Sequence, residues 1–197
     1  MAKKIERHDL MTLEEYAQKR SEFRQKALAH KRSRMLAIGP NATLFFEDRL
    51  TIQYQVQEML RIEKLFEPKD IEDELAAYNP LIPDGHNWKA TFMLEFEDEQ
   101  ERRAQLRQLV GIESKIWAQI GENDKIFAIA NEDLERSTDE KTSAVHFLRF
   151  ELSDKDIADL KSGASLAFGI AHPNYNAIVA PVPETLKQQL MKDLNAG

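Results

Sequence analysis

The sequence predicts an α+β fold, with N-terminal helices followed by a tandem β-α-β-β duplication. Apolar positions recur at helical spacing in the first part of the chain and alternate after Trp88, as in strands. The segment 90–97 reappears as 144–151 with four identities, at a constant offset of 54 residues. We expect the strands to form a mixed, largely antiparallel sheet or a half-open barrel.

Two candidate repeat units follow from this offset, over residues 88–131 and 143–181. In each unit a strand precedes a helix with an acidic capping pattern, and a glycine ends that helix. Two independent units that obey the same capping rules would produce the same pattern. A C-terminal helix is predicted over residues 183–194.

The first 35 residues form a basic N-terminal helical arm. They hold ten Lys and Arg against five Asp and Glu, a net charge of +5. Because the whole chain carries −7, residues 36–197 carry −12. Thr12 and Glu15 form a capping box, which predicts the start of the helix. We expect the arm to pack against an acidic single α+β domain, residues 36–197, of its own chain or of a partner.

A helical part is predicted over residues 48–78. One helix runs from about Asp48 to Phe66, and Pro68 suits the first turn of the next helix. Residues 79–85 contain two prolines and one glycine, so they cannot continue the helix. This loop is long enough to be a lid or a connection, and a bound organic molecule would be sought around it.

Composition excludes several classes of protein. No apolar stretch reaches the roughly 18–20 residues that a membrane span requires, and the N-terminus lacks a signal-peptide pattern. Cysteine is absent, so we expect no disulfide and no iron–sulfur cluster. These features predict a cytoplasmic protein without a membrane partner. The chain also lacks phosphate-loop, dinucleotide-binding and nucleophile-elbow motifs.

Histidine provides the one argument for a metal. His146 lies on an otherwise apolar strand face, and His172 ends a strand just before a proline. With Glu58 or Glu63 from the long helix, they would form a two-His, one-carboxylate site of the kind that binds iron or zinc. The alternative is that a backbone carbonyl or a carboxylate satisfies each histidine.

Two groups of polar residues are candidates for binding a partner protein. They are Arg20, Arg24, Arg32 and Arg34 in the arm, and Gln53, Gln57 and Arg61 on one face of the long helix. A solvated face, a buried hydrogen-bond network and an interface are all consistent with the second group. The acidic domain argues against nucleic-acid binding by the basic arm.

Several stretches resemble an uncharacterised bacterial family of about 200 residues that is classified as a domain of unknown function. The stretches are residues 38–41, 46–47, 57–63, 77–83, 109–112, 143–150 and 172–175. Genes of this family are often found beside those for rubrerythrin and an iron–sulfur oxidoreductase. The resemblance therefore implies an accessory role in redox metabolism and carries no catalytic residues with it.

Taken together, these observations predict a non-catalytic accessory protein that binds a protein partner and forms a homodimer in a bacterial redox or oxidative-stress setting. The partner implied by the resemblance is a rubrerythrin or an iron–sulfur oxidoreductase. A metal-binding protein or metalloenzyme is the alternative, and nucleic-acid binding through the arm is a weaker one. Whether the chain is an enzyme is left open.

Overall fold

The computed structural model of the chain describes residues 3–130, 132, 137, 138 and 140–195. Within these residues it contains six α-helices and nine β-strands, which confirms the predicted α+β class. Predicted domain and repeat bounds at residues 1, 131 and 197 lie outside the described residues.

Helices dominate the first half of the chain, and strands dominate the second. The helices are α1 (Leu13–Arg32), α2 (Arg49–Glu63), α3 (Pro68–Tyr78), α4 (Glu99–Gln108), α5 (Asp154–Lys161) and α6 (Glu184–Met191). The strands are β1 (Met35–Ala37), β2 (Ala42–Glu47), β3 (Asn87–Leu94), β4 (Ile116–Ile120), β5 (Ile126–Phe127), β6 (Ile129–Ala130), β7 (Val145–Glu151), β8 (Leu166–His172) and β9 (Tyr175–Val179). Thr12 caps α1 and forms the predicted box with Glu15.

The strands of the described residues form two antiparallel sheets, which agrees with the largely antiparallel pairing predicted within the α+β class, and neither sheet closes into a barrel. The first sheet has the order β1-β2-β3-β7-β6, and the second has the order β5-β4-β8-β9. Corresponding strands of the two candidate repeat units are neighbours in both sheets, β3 beside β7 and β4 beside β8. Each unit thus supplies strands to both sheets, because two facing sheets bury the apolar faces of both.

A cluster of aromatic rings joins the two sheets. Phe168 of β8 packs against Phe46, Trp88 and Phe150, with ring centroids 5.2, 5.8 and 5.4 Å away. Those three rings come from β2, β3 and β7 of the first sheet. The Trp88 indole Nε1–H also donates to the Leu190 carbonyl at 3.0 Å, which attaches α6 to the same core.

A second, smaller core lies among the helices. Ile52, Val56 and Leu60 of α2 pack with Leu75 of α3 and with Ile82 just beyond it. The helix α1 packs along α2, with Tyr16 and Ala27 fully buried. The basic arm therefore packs against its own chain.

Arg34 is a structural residue in this arrangement, although the sequence placed it among the partner-binding candidates. Its side chain is 1% exposed. The guanidinium donates to the Phe46 carbonyl at 3.0 Å and to the Glu47 and Gln189 carbonyls at 3.2 Å each, and it pairs with Asp193. It therefore joins the start of β1 to β2 and to the C-terminal helix.

We expect Arg34→Met to lower the free energy of unfolding by about 3–5 kcal/mol, because it leaves the carboxylate of Asp193 buried without its partner. Chemical denaturation measures the change. The matched control, Arg32→Met on the exposed face of α1, should change stability by no more than about 0.5 kcal/mol. Equal effects of the two substitutions would contradict the structural role of Arg34.

Candidate functional site

A cavity of about 710 Å³ lies between α2, α3 and the first sheet. We call it the α2–α3 cavity. Its apolar lining comprises Met59, Ala77, Tyr78, Pro80, Leu81 and Phe147, and its charged lining comprises Glu63, Glu74, Lys89, Glu132 and Arg149. Its volume lies within the roughly 300–1,000 Å³ typical of small-molecule sites. Pro80 and Leu81 lie in a short 3-10 helix, Asn79–Leu81, at the start of the segment 79–85 that was expected to be non-helical. They contribute to one wall of the cavity.

Strand alternation determines which side chains reach the cavity. In β3, Trp88 and Ala90 point into the core between the sheets, so Lys89 points to the opposite face. Lys89 lies directly opposite Arg149 of β7 in the register. Two cations at facing positions repel each other, so this arrangement requires compensating anions.

Arg149 has its compensating anions within the protein. Its Nη2 and Nε donate to the two carboxylate oxygens of Glu132 at 2.7 and 2.9 Å, and Nη1 pairs with Glu151. These bonds raise the pKa of Arg149. All three nitrogens of the guanidinium therefore bond to protein carboxylates.

The Lys89 ammonium has no direct partner of this kind. It makes no hydrogen bond or ion pair in the described part of the chain, although the charges of Glu132, Asp84 and Glu151 act on it. Burial, together with the charge of Arg149, lowers its pKa. A half-buried ammonium without a partner, facing a cavity, can bind an anionic group.

Glu74 of α3 is an acidic residue on the side of the cavity formed by α2 and α3, which we call the helical wall. Its Oε2 is buried and accepts no hydrogen bond from the described residues. Burial and the neighbouring charge of Glu63 raise the pKa of this carboxyl group. The cavity thus has acidic groups on its helical wall, an unpaired cation on its sheet wall and apolar side chains between them.

Sequence reasoning missed Lys89 and Glu74 as site residues. Neither belongs to a motif, and each is one of many charged residues on a predicted strand or helix. The usable signal is the facing pair of cations in β3 and β7, and it becomes visible only once the register of the two strands is known.

The four predicted metal ligands lie in different places. Glu58 faces α1, Glu63 lines the α2–α3 cavity, His146 is buried in the core, and His172 ends β8. No group of three or more His, Asp or Glu side chains in the described residues could hold a metal ion. Iron or zinc binding stays a prediction without a preformed site among these residues.

Both histidines make hydrogen bonds inside the protein. His172 Nε2–H donates to the Val110 carbonyl at 3.1 Å, and its Nδ1 accepts from the Asn174 amide at 3.1 Å. His146 Nε2 lies 3.0 Å from the Ser143 carbonyl and 2.9 Å from the Thr142 hydroxyl. The backbone carbonyls of Val110 and Ser143 therefore bond to one ring nitrogen of each histidine, as in the alternative to metal binding.

The predicted polar face of α2 forms an intramolecular hydrogen-bond network. Gln57 accepts from the Met11 amide at 2.6 Å and donates to the Met11 carbonyl at 3.3 Å. Gln53 donates to the Asp9 carbonyl at 2.7 Å. These amide side chains fix the segment that leads into α1.

Glu58 is the centre of the contact between α1 and α2. Its carboxylate accepts from Arg20 at 2.8 and 3.0 Å, from the Tyr16 hydroxyl at 2.7 Å and from Arg61 at 3.1 Å. Of the arm arginines, Arg24 and Arg32 are exposed. Arg20 and Arg61 therefore serve the internal contact, and the exposed arginines stay candidates for binding a partner.

The same contacts generate a pH prediction. Hydrogen bonds from Arg20 lower the pKa of Glu58 from 4.5 to about 2. A carboxyl group with a lowered folded-state pKa stabilises the fold above its unfolded pKa and loses that contribution as pH falls. We expect this contribution to be complete above pH 4.5 and to be lost towards pH 2.

Glu58→Gln should therefore lower the free energy of unfolding by about 2 kcal/mol at neutral pH. The free energy of unfolding should also depend less on pH between 4.5 and about 2, the acid limb of the stability curve. Unfolding free energies measured across pH 2–7 test both effects. The control is Glu22→Gln on the exposed face of α1, which should keep the wild-type pH profile. An unchanged acid limb in the Glu58 variant would contradict the assignment.

Comparison with known proteins gives a family and a structural relative. A crystal structure of a protein of unknown function from Burkholderia pseudomallei K96243 is 48% identical and superposes with a TM-score of 0.92. The match covers 98% of this chain and 100% of the other. No curated protein matches the chain.

The structure contains no helix, among the described residues, with the length and apolar character needed to span a membrane. The family model described as "Protein of unknown function (DUF3501)" matches residues 4–194, nearly the whole chain. This match confirms the resemblance to an uncharacterised family that the sequence indicated. The chain belongs to the DUF3501 family of proteins of unknown function.

Proposed function

We propose that this protein is a non-catalytic binding protein that holds a small organic molecule in the α2–α3 cavity. The observation that carries the proposal is the pair of polar groups on opposite walls of one partly apolar cavity, the buried Glu74 carboxylate oxygen without a hydrogen bond and the half-buried Lys89 ammonium without a direct partner in the described residues. Buried polar groups in proteins are nearly always partnered. A ligand that fills the cavity would supply the partners that the protein lacks.

A substitution that fills the cavity tests the proposal. Ala77 lines the cavity from α3 and is exposed, so the large side chain of Ala77→Trp should occupy the space. Ala29→Trp, at an exposed position of α1, is the matched control. The probe is a metabolite library of amino acids, short peptides, organic acids, amines and neutral compounds.

We expect at least one library member to raise the Tm of the wild type and of the Ala29 variant, but not of the Ala77 variant. At a ligand concentration of 100 Kd the stabilisation is about 2.7 kcal/mol, which corresponds to a Tm increase of roughly 5–10 °C for a chain of this size. Equal shifts in both variants, or no shift with any compound, would refute binding in the cavity.

A second candidate function is the binding of a partner protein in a redox setting. The observation that favours it is an exposed apolar pair at the end of α2, with Ile62 and Phe66 59% and 67% exposed. The two residues are four positions apart and stand beside acidic residues such as Glu63 and Glu67. Large apolar side chains that are exposed in one region of the surface are typical of protein-binding sites.

We expect Phe66→Asp to weaken binding to a purified rubrerythrin or iron–sulfur oxidoreductase by at least tenfold, as measured by biolayer interferometry. Ile178→Asp is the control, because Ile178 is also exposed, at 61%, but lies on β9 of the second sheet. Light scattering of the same variants tests the predicted homodimer. Binding and mass that are unaffected by Phe66→Asp would exclude this surface.

A further inference from the structure

We infer that the ligand of the α2–α3 cavity is a zwitterion with an apolar body, such as an apolar amino acid or a short apolar peptide. This inference rests on the proposed function and names the class of molecule that the cavity accepts. In the bound state, the ligand carboxylate would pair with Lys89 and its ammonium would pair with Glu74. The apolar part would lie against Met59, Tyr78 and Phe147.

No side chain of the described residues forms a hydrogen bond or ion pair with the Lys89 ammonium, although the charges of Glu132, Asp84 and Glu151 act on it from a distance. The neighbour of Lys89 in β2 is Glu47, but that carboxylate accepts from the Thr51 hydroxyl at 2.5 Å and from the Thr91 hydroxyl at 2.7 Å. Its neighbour in β7 is Arg149, a cation. The ammonium is thus placed beside a like charge at a cavity wall.

The carboxylates of Glu132 and Glu151, beside the first sheet, already have a partner. Glu132 and Glu151 are both bonded to Arg149, so this group of three carries a net charge of −1. The negative charge lies on the two carboxylates, which act on Lys89 electrostatically but form no hydrogen bond or ion pair with it. A ligand carboxylate would give Lys89 the direct partner that these side chains do not provide.

The helical wall lacks a hydrogen-bond donor for Glu74. Glu74 Oε2 is buried without a hydrogen bond, and Glu63 adds a second negative charge to the same wall. An ammonium group donates three hydrogen bonds and carries the opposite charge. It would satisfy the buried oxygen and reduce the repulsion between the two carboxylates.

Other ligand classes satisfy only part of the site. A simple organic anion would pair with Lys89 and leave Glu74 unsatisfied, whereas a simple amine would do the reverse. A neutral apolar molecule would fill the space but leave both groups without partners, and each unsatisfied buried group costs affinity. Only a molecule with both charges and an apolar body matches the two walls and the lining between them.

Isothermal titration calorimetry tests the inference with matched ligands. The probes are phenylalanine, leucine and methionine, the dipeptides Phe-Leu and Leu-Leu, and two analogues that each lack one charge, 3-phenylpropanoate and 2-phenylethylamine. We expect at least one amino acid or dipeptide to bind at least tenfold more tightly than both analogues. The relative affinities of the amino acids and the dipeptides identify which of the two is the ligand.

Variants of the two walls give an independent readout. Lys89→Met should weaken binding of the zwitterion at least tenfold and remove its advantage over 2-phenylethylamine. Glu74→Gln should weaken it similarly and remove its advantage over 3-phenylpropanoate. Lys19→Met and Glu22→Gln, both at exposed positions of α1, should leave all affinities unchanged.

The outcomes separate this inference from the proposed function. If 3-phenylpropanoate, 2-phenylethylamine or a neutral library compound binds as tightly as the best zwitterion and Ala77→Trp abolishes that binding, the cavity is a ligand site and the zwitterion inference is wrong. If zwitterions bind with equal affinity to wild type and to the Lys89 and Glu74 variants, the inference is also wrong. If no compound binds, both proposals fall.

Discussion

The contact of Phe168 with Phe46, Trp88 and Phe150 is the interaction on which the rest of the structure depends. It holds the two sheets face to face, and aromatic side chains bury more apolar area than other residues. One face of the first sheet is therefore buried in the core between the sheets. Its opposite face is left for the helices α2 and α3, and the cavity lies where these elements meet.

Charged side chains that join helices and strands have direct partners, whereas one charged side chain at the cavity has none in the described residues. Where helices and strands join, buried or half-buried charges have protein partners, as Arg34 has in Asp193 and Glu58 has in Arg20. At the cavity, Lys89 has none in the described part of the chain. Since an unpartnered half-buried charge is costly, this residue is one of the two groups on which the proposal of ligand binding rests.

Local signals in the sequence predicted the elements well. The capping box of Thr12 and Glu15 located the start of α1, and Pro68 located the start of α3, because capping and proline effects act within one turn. The repeat offset relates the sequences of β3 and β7, which are neighbours in the first sheet. It could not indicate that the strands divide between two sheets, because strand order is set by which apolar faces meet.

The sequence by itself determined the α+β class, the helical N-terminal part and the family of the chain. The tertiary structure alone decided the role of each polar residue. Arg34 and His172 have internal partners far away in the chain, Gln189 and Val110 respectively. Lys89 stands out only because the register places it opposite Arg149. Partners of this kind are set by distances between elements, and these distances are not encoded in any local pattern.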